Sequence, residues 1–72
     1  MKLRQYIDGL TELERADYAK RCGTTLKYLE VHIRYASREP RPALRRALAT
    51  ESGRQVSYEE VLEHFGILVK AA

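Results

Sequence analysis

The chain has one cysteine, two histidines and four glycines among its 72 residues, and these scarcities exclude several kinds of site. Because Cys22 is the only cysteine, neither an intrachain disulfide nor a cysteine-based zinc site can form, which is typical of a protein from a reducing compartment. His32 and His64 lack the spacing of a metal-binding motif. The glycines are scattered singly and make no phosphate-binding loop. We therefore expect no enzyme activity, no metal, no cofactor and no small-molecule substrate.

Long apolar runs are also absent. A membrane-spanning helix needs about 20 consecutive apolar residues, and no run approaches that length. The first ten residues, MKLRQYIDGL, are too short and too charged to be a signal peptide. These features predict a soluble, intracellular protein that does not act at a membrane. A chain of this length makes a single domain that buries only about 60% of its unfolded surface.

The spacing of apolar residues predicts an all-α fold of five short helices without strands. Helix 1 is predicted over residues 2–9 and helix 2 from Glu12, after a capping box formed by Thr11 and Glu14. Helix 3 follows two threonines, and residues 37–41 form a proline-containing loop. Helix 4 begins at Pro42, and helix 5 begins after a second capping box and stops at Gly66. Residues 1–66 form one domain, and residues 67–72 form an apolar tail.

The same pattern predicts which residues face the core. On helix 2 these are Leu13, Ala16, Ala19 and Cys22, and on helix 3 they are Leu26, Leu29, Ile33 and Ala36. Helix 4 is predicted to face the core with Leu44, Ala47 and Leu48 and the solvent with Arg45, Arg46 and Glu51. Val56 is predicted to be buried. Helix 5 is predicted to pack through Val61, Leu62 and Phe65. All of these predictions assume regular α-helical periodicity.

Residues 15–33, RADYAKRCGTTLKYLEVHI, have the residue spacing of a helix-turn-helix. Gly23 supplies the left-handed conformation that ends the first helix sharply, and a following threonine caps the second. Ala19 is small enough for two helices to cross closely, and Leu29 turns back into the corner. A plain helical hairpin with a glycine stop fits this spacing equally well.

Positive charge is concentrated in residues 15–54, which have a net charge of +6, whereas residues 1–14 sum to −1 and residues 55–72 to −2. A nucleic-acid-binding protein has this kind of electrostatic footprint. The alternative is a solvated basic surface without a partner. Together with the helix-turn-helix spacing, the charge predicts that helix 3 enters the major groove of double-stranded DNA.

Helix 3 and its flanks provide the predicted contacts to DNA. Those to base edges are Thr25, Leu26, Lys27, Glu30 and Val31. Those to phosphates are Arg15, Tyr28, Arg34, Arg38 and Arg41. The alternative for these residues is an ordinary mixed surface helix, with Leu26 in the core.

The run A-x3-G-T-T with Leu29 six residues after the glycine resembles the helix-turn-helix of lambdoid phage repressors and Cro proteins. The fuller pattern, from KLRQYI through YAKRCGTTLKYL to ALATESGRQVSYEEV, is similar to short Cro-like proteins of the YdaS type over residues 2–65. The resemblance implies a lambda-repressor-like fold of five helices. It also implies a phage or prophage transcriptional regulator in the bacterial cytoplasm that binds operator DNA as a dimer.

Three positions depart from the family pattern. His32 stands where a buried aliphatic residue is usual, Tyr18 replaces a smaller apolar residue, and Ala36 replaces the glycine that commonly ends the recognition helix. These departures predict that helix 3 is one residue longer or shifted in register.

A small module makes few base contacts, so we expect a homodimer on DNA, with Phe65, Ile67 and Leu68 as its interface. Packing of this apolar end onto helix 1 is an alternative. A protein-interaction module, such as an antitoxin or an adaptor, is the second functional hypothesis. RNA binding is a weaker third, because the aromatic residues are scattered over several helices and form no stacking platform.

Overall fold

The computed structural model describes residues 1–67, which fold into five helices and contain no strand. The helices are α1 (Leu3–Gly9), α2 (Glu12–Arg21), α3 (Leu26–Tyr28, continued by a π-helical turn over Leu29–Ile33), α4 (Pro42–Thr50) and α5 (Tyr58–His64). The predicted fold class and helix order are therefore confirmed at this level. None of these helices has the length and apolar composition needed to cross a bilayer.

Both predicted capping boxes are present. Thr11 Oγ1 accepts a hydrogen bond from the Glu14 amide, and the Glu14 carboxylate accepts one from the Thr11 amide at 2.8 Å. Ser57 and Glu60 make the equivalent pair at the start of α5. Each box satisfies amide groups that have no partner within the helix, so the two helices begin at defined residues.

Helix α3 is not a regular α-helix. The Arg34 amide donates to the Leu29 carbonyl at 2.8 Å, five residues back, so the second half of α3 is wound as a π-helix. Ile33 is fully buried, as its position four residues after Leu29 predicts, and the preceding His32 is half-buried. A π-helical turn therefore takes the place of the regular α-helix that periodicity predicts for the second half of α3.

The core draws residues from every helix. It consists of Leu3, Ile7, Tyr18, Ala19, Cys22, Leu29, Ile33, Leu48, Val56 and Val61. Polar contacts join the elements around it: the Tyr18 hydroxyl donates to the Leu48 carbonyl, and His64 Nε2 lies within hydrogen-bond distance of the Ile33 carbonyl. Helix α3 is thereby attached to α5, and α2 to the end of α4.

Two predicted orientations are wrong. Leu13, predicted to face the core, is 84% exposed, because no other element covers this side of the first turn of α2. Arg45, predicted to point outward, is only 16% exposed, and its guanidinium pairs with Glu39 from the preceding loop at 3.1 Å. In both cases the packing of elements distant in sequence decides exposure, and helical periodicity alone does not describe it.

Ala36 ends helix α3 in a left-handed conformation, with φ of 54°. The Ser37 amide donates to the His32 carbonyl and the Ala36 amide to the Ile33 carbonyl, which is the hydrogen-bond pattern of a glycine-terminated helix. Because a Cβ atom makes this conformation unfavourable, Ala36→Gly is expected to raise the free energy of unfolding by about 0.5 to 1 kcal/mol.

Urea denaturation followed by circular dichroism measures this change. Gly23→Ala is the matched opposite variant: Gly23 has φ of +79°, and nothing lies within 4 Å of an added Cβ, so only the backbone conformation opposes the methyl group. This variant is expected to lose about 1 kcal/mol. A destabilised Ala36→Gly protein would contradict the role of backbone strain.

Candidate nucleic-acid interface

The connection between α2 and α3 is a tight turn. Gly23 donates to the Lys20 carbonyl at 3.0 Å, and Thr24 donates to the Ala19 carbonyl at 2.9 Å. Thr25 is the N-cap of α3, and its hydroxyl oxygen accepts a hydrogen bond from the Tyr28 amide at 3.1 Å. The predicted glycine stop at Gly23 and the predicted threonine cap at Thr25 are therefore both present, and they fix where the first turn of α3 begins.

Three side chains form an exposed stripe along α3 and the turn that follows it, namely Lys27, Val31 and Tyr35. Val31 is 46% exposed and Tyr35 is 57% exposed, and Lys27 is also exposed. Leu29 and Ile33, on the opposite side, are fully buried. The three positions are spaced by four residues, and residues four apart lie on the same face of a helix. It is the solvent-facing side of the helix predicted to bind DNA.

Tyr35 was not predicted as a site residue. Its ring lies under the guanidinium of Arg4 from α1 at 4.6 Å and beside that of Arg34 at 5.5 Å. These cation–π contacts hold the ring at the surface and place two cations beside it. Helical periodicity does not single out Tyr35, because its contact with Arg4 joins residues that are 31 positions apart in sequence.

Arg15 is occupied by contacts within the protein. Its guanidinium donates to the Ile7 carbonyl at 3.0 Å and to the Asp8 carbonyl at 3.4 Å, at the end of α1. It also pairs with Glu30 of α3 at 3.4 Å, and its side chain is only 17% exposed. Arg15 and Glu30, predicted as a phosphate and a base contact, thus join α1, α2 and α3.

Arg34 has a similar internal partner. Its Nε atom lies 2.7 Å from a carboxylate oxygen of Asp8, and the other oxygen of Asp8 accepts from Arg4 at 3.3 Å. The Asp8 carboxylate therefore pairs with two guanidinium groups at the surface between α1 and α3. A phosphate contact by Arg34 requires competition with Asp8.

The remaining predicted base and phosphate contacts divide by exposure. Leu26 and Tyr28 are half-buried, and the Tyr28 ring packs 4.9 Å from that of His32. Thr25 is exposed, although its hydroxyl already accepts the capping bond. Arg38 and Arg41 are exposed in the loop after α3, and within residues 1–67 neither they nor Lys27 form an ion pair.

A shallow groove brings Arg41 next to the turn between α2 and α3. It has a volume of about 420 Å³ and is lined by Cys22, Gly23, Thr24, Tyr28, Arg41, Ala43 and Leu44. Burial raises the pKa of the Cys22 thiol to about 12, so the thiol stays protonated at neutral pH and acts as a packing group. Two residues predicted as phosphate contacts, Tyr28 and Arg41, thus share one concave surface with the helix-turn residues.

The predicted dimer interface lies at the end of α5. Phe65 is half-buried against the core, Ile67 is half-buried after the last turn, and Leu68 lies outside the described residues. The part of the chain that the structure describes contains no group of three or more side chains arranged to hold a metal ion. No family model, curated protein or solved structure matches the chain.

Proposed function

We propose that the chain is a sequence-specific, double-stranded DNA-binding transcriptional regulator, and that α2 and α3 form a helix-turn-helix whose α3 enters the major groove. The observation that carries this proposal is the exposed stripe of α3, which follows a glycine turn and a threonine cap and begins at an unpaired lysine. Lys27 donates to guanine O6 or N7, and Val31 contacts a thymine methyl group.

Positive charge around the stripe supports the proposal. Arg38 and Arg41 follow α3 in an exposed loop, and Arg4 and Arg34 flank Tyr35 at the far end of the stripe. These groups provide phosphate contacts that fix the register of the helix on the duplex without reading sequence. Arg15 and Glu30 have a different role in this account, since their ion pair holds α3 at a fixed angle to α2 and α1.

Two copies are proposed to bind one operator. A single α3 offers few base contacts, whereas two copies on half-sites about 34 Å apart double them and match a palindromic site. Phe65 and Ile67 at the end of α5, with Leu68, remain the proposed dimer interface. The resemblance to Cro-like regulators, which usually act as operator-bound dimers, agrees with this arrangement.

Lys27→Ala is expected to weaken binding to the specific operator by about 1 to 3 kcal/mol and to relax the preference at one base pair. Lys27 is exposed and unpaired in the described chain, so its removal should leave the fold intact. Binding to the DNA upstream of its own gene, with random DNA as competitor, measures the change by gel shift.

Arg38→Ala is the matched comparison, because Arg38 is also exposed and cationic but lies after the helix. This variant is expected to bind all sequences more weakly by a similar factor. Equal losses on operator and random DNA for Lys27→Ala would place Lys27 on the phosphates only. An Arg38→Ala effect confined to one base pair would contradict its role.

A further inference from the structure

Leu13 is the most exposed large apolar side chain in the part of the chain that the structure describes, with 84% of its surface accessible. It lies in the first turn of α2, between Glu12 and Glu14, and close to the end of α1. An isolated exposed leucine is common on protein surfaces. This one, however, forms the wall of a cavity, which makes its exposure informative.

A groove with a volume of about 290 Å³ runs between α1 and α2, here called the α1–α2 groove. Its lining consists of Tyr6, Leu10, Leu13, Glu14, Asp17 and Arg21. Tyr6 and Leu10 are half-buried and pack against the core from the other side, so the groove has a fixed apolar floor. The Tyr6 ring is held edge-on against the buried Tyr18 at 5.2 Å. The groove is therefore a built feature of the surface.

The rim of the groove is negatively charged, in contrast to the basic helix α3. Glu14 and Asp17 line it and Glu12 is exposed in the same turn of α2. The one cation of the lining, Arg21, pairs with Asp17 at 2.9 Å and with Glu51 at 3.4 Å, so within the described residues the unpaired negative charge at the rim comes from Glu12 and Glu14. Like other carboxylates, Glu14 is ionised at neutral pH, and hydrogen bonds from Thr11 lower its pKa below the ordinary value.

From this combination of apolar floor and acidic rim, we propose that the α1–α2 groove binds a cationic amphipathic helix of a protein partner. Apolar side chains of the partner, spaced three or four residues apart, fill the groove against Tyr6, Leu10 and Leu13. Lysine or arginine side chains beside them meet Glu12 and Glu14. This charge disfavours DNA as the occupant, because the two carboxylates repel phosphates.

A second copy of the chain binding through the same groove is disfavoured by the same charges. A two-fold interface brings identical surfaces together, so the carboxylates of one rim would face those of the other. The groove shares no residue with the exposed stripe of α3. The proposal therefore stands independently of DNA binding, and a regulator bound to its operator leaves this surface available to a partner.

The test is a titration of the full chain, observed by two-dimensional ¹H–¹⁵N NMR, with a synthetic helical peptide of about 14 leucine and lysine residues. A second peptide, in which glutamate replaces every lysine, is the matched control for charge. The expected result is binding of the lysine peptide alone, with the largest shift changes at the residues that line the groove.

Leu13→Gln separates specific docking from general attraction to acidic residues, since it removes the apolar wall without changing charge. This variant is expected to bind the lysine peptide with an affinity about tenfold or more below that of the parent protein. Tyr58→Gln, which alters an exposed aromatic residue on α5, should leave the affinity unchanged. Because both residues are exposed, neither variant should unfold the protein.

Three results would overturn the proposal. Equal affinity of the parent protein and Leu13→Gln for the lysine peptide would show that the groove is not the binding site. Shift changes at the groove caused by raising the protein concentration alone would assign it to a second copy. Shift changes there on deletion of residues 68–72 would assign it to the end of the chain itself.

Discussion

Tyr18→Ala is expected to lower the free energy of unfolding by about 3 to 5 kcal/mol, because it removes a fully buried ring from the core. Tyr18 is the largest fully buried side chain. Its ring packs edge-on against Tyr6 of α1, and its hydroxyl reaches α4. A domain of this size has only about 4 to 10 kcal/mol of stability, so the variant is expected to be largely unfolded at 37 °C.

Tyr18→Phe isolates the contribution of the hydroxyl group while preserving the volume of the ring. The hydroxyl donates to the Leu48 carbonyl in the last turns of α4. Without it, this buried carbonyl loses its side-chain donor, at a cost of about 1 to 3 kcal/mol. Urea denaturation measures both variants. Tyr58→Phe is the matched control, because Tyr58 is exposed at the start of α5 and should change stability by less than about 0.5 kcal/mol.

The pH dependence of stability provides a second readout of the Tyr18 hydroxyl, through its burial. Burial raises the pKa of the Tyr18 phenol above its ordinary value of 10.0, so the unfolded chain releases this proton at a lower pH than the folded chain. Stability from this group is therefore complete below pH 10 and decreases as the pH rises above it. Tyr18→Phe should lose less stability than the parent protein between pH 10 and 11. Equal stability of the two proteins under all conditions would contradict the role of the hydroxyl.

Local features of the fold could be predicted from sequence because they depend on residues within one helical turn. The two capping boxes, the start of α4 at Pro42 and the glycine stop at Gly23 all belong to this class. Each satisfies or interrupts backbone hydrogen bonds through neighbours in the chain. Such effects need no knowledge of tertiary packing.

Features that depend on distant partners could not be predicted in this way. Periodicity places Leu13 inward, but no element covers it, and the groove beside it depends on how α1 packs against α2. Likewise, the sequence does not show that Arg15 faces the carbonyl end of α1 or that Arg34 meets Asp8. The charge of a residue is readable from sequence, whereas its partners are not.

The π-helical turn of α3 lies between these two cases. An aliphatic residue displaced by one position, with His32 in its place, signals an irregular helix. The sequence does not specify whether the helix is extended, shifted or widened. The structure forms the second half of α3 as a turn with five-residue hydrogen bonding, and Tyr35, which follows this turn, is exposed beside Arg4 and Arg34. The set of proposed DNA contacts should therefore include Tyr35.

Binding to double-stranded DNA is expected to depend steeply on salt, because each phosphate neutralised by a cation releases counterions. Arg38 and Arg41 are exposed and without ion pairs in residues 1–67, which gives about four phosphate contacts for two bound copies, and Arg4 and Arg34 beside Tyr35 raise this number to about eight. The logarithm of affinity should then fall with the logarithm of salt concentration with a slope of about −4 to −7. A single bound copy should give a slope of about −3.

The most direct test of the central claim, that α3 and its basic flanks bind double-stranded DNA, is this slope. Fluorescence anisotropy of labelled DNA from upstream of the protein's own gene, titrated between about 50 and 200 mM salt, should show affinity falling by about 10²- to 10⁴-fold. Arg38→Ala should reduce the magnitude of the slope by about 2, because a dimer then loses two phosphate contacts. An affinity independent of salt, or no binding at the lowest salt concentration, would contradict the claim.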